Sequence, residues 1–164
     1  MDVSLLLIIL LVGAIATFLS GDKWASKTAL LCSLVAFGAS VFLLNLYNSA
    51  QNIDFIARWV SVPNISLSLK ADGLSLALVL LTTAFTPLIL FSSFGNAYAK
   101  SKNFYALVLF MVFAMVGTFL SDDGFLYYIF WELALIPIYF IALIWGNGNI
   151  QSRRKAVVKF FIYT

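Results

Sequence analysis

Apolar residues in this chain come in long unbroken runs, without the three-to-four spacing that gives a soluble helix one wet and one dry face. The runs cover residues 3–19, 28–47, 73–94, 104–120 and 124–145, and a sixth begins near Ala156 and reaches Thr164. A bilayer core about 30 Å thick is crossed by roughly 20 apolar residues in a helix. The pattern therefore predicts an all-α integral membrane protein, with about five full transmembrane helices plus the start of a sixth. Residues 1–164 read as a single membrane domain. Met1-Asp2 lacks the basic segment that precedes a signal sequence, and the first run is long for one, so it is read as a retained helix. The sixth run is too short to span, and its unpaired carbonyls are not tolerated in lipid, so a continuation or a partner is expected to complete it.

The longest linker, 48–72, has a different rhythm. "ISLSLK" alternates apolar and polar residues as a half-buried strand does, and "IDFIARWV" precedes it across the turn pair Pro63-Asn64. A short β-hairpin on the outer surface is predicted. Asp72 stands directly before "GLSLALVLL", where its carboxylate can accept from the free amides that open the third helix. Capping is preferred over a transport role for Asp72. Pro87 falls within that helix and deprives the Thr83 carbonyl of its usual donor, and Thr83 and Thr86 can satisfy the backbone locally.

Composition supports the membrane reading and narrows the chemistry. Hydrophobic residues make up 63% and charged residues 10%, with a mean hydropathy of +1.02. A soluble domain is about half apolar and a quarter charged. The chain has no histidine and one cysteine, Cys32. Histidine-ligated haem, cysteine-ligated iron–sulfur clusters and Cys/His zinc sites all lack their ligands, so no cofactor and no metal are expected on this chain. Cys32 sits in an apolar run and reads as a small buried hydrophobe. No glycine-rich nucleotide motif appears. No basic patch interleaved with aromatics points to nucleic acid.

The basic residues are unevenly placed. Lys23, Lys27, Lys100, Lys102, Arg153, Arg154 and Lys155 follow the first, third and fifth runs, against only Arg58 and Lys70 on the other side with Asp2, Asp54, Asp72, Asp122 and Asp123. Because Lys and Arg stay on the cytoplasmic side, the N-terminus is predicted outside.

The fifth run holds the candidate chemistry. Glu132 lies eight residues past Gly124, roughly 12 Å into the bilayer at 1.5 Å per residue. A charge there costs about 2.5–3.5 kcal/mol on insertion scales. Tyr128 and Tyr139 share its helical face, and Pro137 frees the Leu133 carbonyl. Three readings stand: a structural pair between helices, a cation site, or a proton relay, the last leading because intramembrane carboxylates mark such pathways. A single carboxylate is poor support for a metal. Lys159 is the partner to test. With a helix start near Ala156 it lies one turn inside, on the order of 12 Å from the depth of Glu132, so water or another side chain would have to bridge them. Snorkelling to the surface explains Lys159 equally well.

"SDDGFLYYIFWELALIPIYFIALIWG" followed by "RRKAVVKFFIYT" strongly resembles subunit M of the proton-pumping NADH–quinone oxidoreductase, respiratory complex I, and "ADGLSLALVLLT" resembles the start of the third helix in that family. The resemblance implies the N-terminal part of an antiporter-like subunit in a bacterial cytoplasmic membrane. It implies that Glu132 is essential to proton translocation and that Lys159 opens a family block. Quinone, flavin and iron–sulfur chemistry would sit on other membrane-arm and peripheral subunits. The partners implied are those subunits, the remainder of subunit M and the lipid bilayer. The full subunit has about fourteen helices in two inverted repeats, so these residues alone are expected not to pump. A multisubunit cation/proton antiporter or a membrane-bound hydrogenase shares the glutamate-bearing helix and is the alternative. A non-catalytic membrane scaffold is the second.

Overall fold

The computed structural model of the chain describes residues 2–49, 51, 53–60, 65–94 and 101–164. Their elements run α1 (Val3–Leu19), α2 (Ala25–Asn48), β1 (Phe55–Val60), β2 (Ile65–Leu69), α3 (Gly73–Ser92), α4 (Ser101–Leu120), α5 (Gly124–Trp145) and α6 (Ile150–Tyr163). Helices α2, α3 and α5 and the stretch Lys102–Leu120 of α4 are long and apolar enough to cross a membrane. Helix α1 is shorter, at 17 residues, the lower limit of the about 17–25 that a span needs. The predicted class therefore holds: an all-α membrane protein carrying a small hairpin.

Helices α2, α4 and α6 open before their apolar runs because polar residues at a bilayer surface stay helical. Helix α2 opens at Ala25 instead of residue 28, with the Lys27 ammonium 5.0 Å from the centre of the Trp24 ring. Helix α6 departs most from expectation, opening at Ile150 and not near Ala156. Asn149 caps it, its Oδ1 accepting from the Ser152 amide at 2.7 Å. Gly148, at φ 93°, takes the left-handed turn that separates α5 from α6.

The hairpin pairs antiparallel, Phe55 opposite Leu69 and Ala57 opposite Leu67, with an irregularity between Arg58 and Val60. The turn pair Pro63-Asn64 lies outside the described residues, as does Lys100. The second strand does not leave its outer edge bare. Lys70 donates its amide to the Leu120 carbonyl at 2.8 Å, and the Asp122 amide donates to Ser68 at 3.0 Å. The connection from α4 to α5 thus adds a short third rung to the sheet, which blunts an otherwise reactive edge. The Val3 amide donates to Ile53, and Ala71 to Asp54 Oδ1. The starts of α1, α3 and α5 are tied together at this hairpin end.

Helix α4 is the hub, packing against α1, α2, α3 and α5. Its Leu109, Ala114 and Val116 are fully buried. Small residues let the helices approach, as membrane packing favours. The buried face of α2 reads Ala25, Ala29, Ser33, Ala36, Ser40 and, last, Leu43. Ser40 and Thr83 meet across α2 and α3 at 2.8 Å, both buried. Around Pro87 the hydroxyls turn inward: Thr86 Oγ1 donates to the Thr82 carbonyl and Thr83 Oγ1 to Val79. Helix α6 touches the bundle through α5.

Candidate functional site

Helix α5 begins where Asp123 Oδ1 accepts from the amides of Phe125 and Leu126. It then packs on α4 through Leu126 and Phe130. The Phe130 ring meets Phe113 edge-on, 5.6 Å between centroids, and lies over Gly117 with no room for a Cβ between them. At 100° per residue Glu132 projects about 160° away from Phe130. The carboxylate is therefore turned away from α4, and its residue is half-buried. Tyr128, one turn earlier on the same face, places its phenol beside the Glu132 carboxylate. Tyr128 itself is 58% exposed, so the pair sits on an open face of the described bundle.

Tyr139 shares that face but is engaged elsewhere. Its ring meets Phe161 of α6 edge-on at 5.8 Å. The α5–α6 seam also brings Ala142 beside Val157 and Phe160. This antiparallel register sets Lys159 opposite residue 140, eight residues from Glu132, or about 12 Å along the axes. The separation expected from the sequence stands, but its basis is corrected. Because α6 opens at Ile150, Lys159 lies about 13 Å along it and not one turn inside. Lys159 is exposed and lines a shallow groove with Gln151, Arg154, Lys155 and Val158. The structure thus brings Tyr128 to Glu132 and leaves Lys159 apart from both.

Asp72 caps α3 as its position suggested. Its Oδ1 accepts from the Ser75 amide at 2.6 Å, and Ser75 Oγ accepts from the Asp72 amide at 2.8 Å. The Ser75 backbone bond, followed by its hydroxyl, holds the exposed carboxyl below the usual range.

Two further contacts have no clear signal in the runs. Arg153 donates to the Ile144 carbonyl at 2.7 Å, satisfying a carbonyl at the end of α5. Asp22 Oδ1 accepts from the Lys102 amide at 3.0 Å, joining the α1–α2 turn to the start of α4. The Asn149 cap of α6 was missed, although "GNGNIQS" carries its signal, a glycine turn followed by a capping residue. Among the described residues no group of three or more acidic, histidine or cysteine side chains is placed to hold a metal ion.

No family model matches the chain. The chain is 34% identical to F(420)H(2) dehydrogenase subunit M of Methanosarcina mazei, over 98% of this chain and 33% of that protein. It is 36% identical to NAD(P)H-quinone oxidoreductase chain 4 3 of Picosynechococcus sp., over 83% of this chain and 25% of that protein. It is 33% identical to NAD(P)H-quinone oxidoreductase chain 4 of Prochlorococcus marinus, over 87% of this chain and 26% of that protein. The chain thus spans a quarter to a third of the length of these relatives.

Proposed function

Since this chain is a homologue of the subunit M and chain 4 membrane subunits of such dehydrogenases, we propose that it is part of a proton-translocating subunit in a membrane-bound quinone-reducing complex. Electrons pass through other subunits, and this chain contributes to the proton path. The membrane is a bacterial cytoplasmic one, with the hairpin end outside and the basic end inside. Other membrane-arm subunits, and further segments of the same subunit, cover the faces left open.

One observation carries this reading: a carboxylate about 12 Å into an apolar helix, turned away from its packing partner and with the Tyr128 phenol beside it. A buried ionised carboxylate is costly unless paired, and a neutral one is cheap. Such a group exchanges a proton as its surroundings alternate between the two conditions. A phenol beside the ionised form can donate to it, and Tyr128 in that role lowers the cost of the charged half of the cycle. Lys159 is too far for direct pairing; waters or residues of neighbouring segments complete the relay toward it.

Glu132→Gln retains size and hydrogen bonding but cannot titrate. The complex carrying it is expected to assemble and to lose most proton uptake into sealed vesicles driven by its electron donor. Glu132→Asp is expected to keep part. Full uptake by an assembled Glu132→Gln complex would end the relay reading and leave a structural role for the glutamate.

A further inference from the structure

Helix α5 has two unlike halves that meet at Pro137, which is buried and has no amide to give the Leu133 carbonyl one turn earlier. The first half is held tightly. The Phe130 ring lies on Gly117 of α4 with no room for a Cβ, and Phe113 meets that ring edge-on. Glu132 belongs to this half. The second half is flanked by open space on both sides. A cavity of about 490 Å³ between α1, α4 and α5 has Phe140 and Ile144 in its wall. Another of about 290 Å³, between α3, α4 and α5, has Ile138, Ile141 and Ala142. Ile141, and the Trp145 ring edge-on to Phe104 at 5.4 Å, keep this half on α4 in the arrangement described.

Helix α6 is fastened to the second half. Arg153 Nη1 donates to the Ile144 carbonyl at 2.7 Å. The Phe161 ring meets Tyr139 at 5.8 Å, and Val157 and Phe160 lie beside Ile138 and Ala142. Each of these residues of α5 lies beyond Pro137. Lys159 therefore travels with the second half of α5, and Glu132 stays with the first.

We propose that Pro137 is a hinge, about which the second half of α5 swings on α4 and carries α6 with it, changing the separation of Lys159 from Glu132. A proline inside a helix is the usual place for a bend, because one backbone bond is missing and the ring crowds the preceding turn. The turn before Pro137 reads Leu133, Ala134, Leu135, Ile136 and has no hydroxyl to brace it. The turn before Pro87 is braced, since Thr83 and Thr86 donate to the Val79 and Thr82 carbonyls. Axes packed about 8–10 Å apart put Lys159 on the order of 10 Å from the pivot. A change of bend of about 20° moves it about 3 Å, the length of one hydrogen-bonded step. A water path between Lys159 and Glu132 is thereby joined in one position and broken in the other. That consequence rests on the relay reading; the motion itself does not.

The test uses the assembled complex in sealed vesicles, where segments covering the outer faces are in place and would block a swing if they filled the cavities. With Cys32 replaced by Ala, Val108→Cys puts a thiol on the α4 wall of the smaller cavity, and Ala114→Cys puts one at a fully buried position a turn from Gly117. N-ethylmaleimide labels each with and without the electron donor. A swung state populated to about a tenth at rest and about half during turnover makes Val108→Cys labelling about fivefold faster, with Ala114→Cys unchanged. Pro137→Ala, which restores the backbone bond, is expected to abolish the acceleration and to lower proton uptake. Pro137→Gly also restores the bond but leaves the helix pliant, and is expected to keep part of both. Val108→Cys labelling indifferent to the donor overturns the hinge, as does an acceleration that survives Pro137→Ala or is equalled at Ala114→Cys. The relay fails separately: full uptake by Glu132→Gln with Val108→Cys labelling still accelerated removes the relay and keeps the hinge. Uptake lost in Glu132→Gln, with no acceleration at Val108→Cys, does the reverse.

Discussion

Single residues in this chain do their work through hydrogen bonds that the membrane makes expensive to lose. Tyr128 stands beside Glu132 within one turn of α5, placed to make such a bond. Both were legible in the sequence as neighbours on one face, since a helix has a fixed period. The sequence placed Tyr139 with them too, but Phe161 engages its ring, which depends on a second helix. Asp72 offers a cleaner test at this scale, because its cap is local. Its carboxyl titrates below its ordinary value in the folded chain, held there by the Ser75 amide. The stability it contributes is therefore present above the unfolded carboxylate pKa and is lost as pH falls through the lower folded value. Asp72→Ala is expected to lower stability by about 1 kcal/mol, and Asp72→Asn by much less at neutral pH. Thermal melts of the detergent-solubilised subunit at neutral and at acid pH check this: the gap between wild type and Asp72→Ala narrows in acid. A gap that widens in acid would contradict the cap.

At the scale of elements, α4 determines what its neighbours can do. It presents Gly117 to the Phe130 ring, which leaves no space for even a methyl group. Phe113 holds that ring edge-on from the same helix, so the ring has little freedom to retreat. Gly117→Ala is expected to destabilise the α4–α5 contact by about 1–3 kcal/mol, the usual cost of overpacking. Chemical denaturation of the subunit in detergent measures it, and Phe130→Leu in the same chain is expected to recover part. An unchanged midpoint for Gly117→Ala would show that α5 can move off α4, and the direction argued for Glu132 would lose its support. The element most misjudged from sequence is α6. Its first turns carry Arg153, Arg154 and Lys155 and carry no hydropathy signal, yet the Asn149 cap and the Arg153 bond to Ile144 begin the helix there. Hydropathy marks where a helix is dry, and capping marks where it starts.

For the whole molecule, the two ends differ in charge, and this sets the expected orientation. Lys23, Lys27, Lys102, Arg153, Arg154 and Lys155 gather at one end, and the hairpin with Asp54, Asp72, Asp122 and Asp123 at the other. With Cys32 replaced by Ala, a membrane-impermeant thiol reagent added outside is expected to modify Gln51→Cys and to spare Asn147→Cys. Both positions are exposed at linkers of opposite ends. The reverse pattern would invert the proposed topology. The membrane class, the first five helices, the hairpin, the Asp72 cap and the presence of one glutamate inside an apolar helix were all determined by sequence alone. Each is a property read along the chain, from hydropathy, period and local spacing. The tertiary structure decided the rest: that Glu132 turns away from α4, that Tyr139 belongs to the α6 seam, that Lys159 lies well along its helix, and that α6 is fastened to α5 beyond Pro137. These depend on which helix faces which, and long apolar runs with no wet side do not encode a facing direction until other helices pack against them.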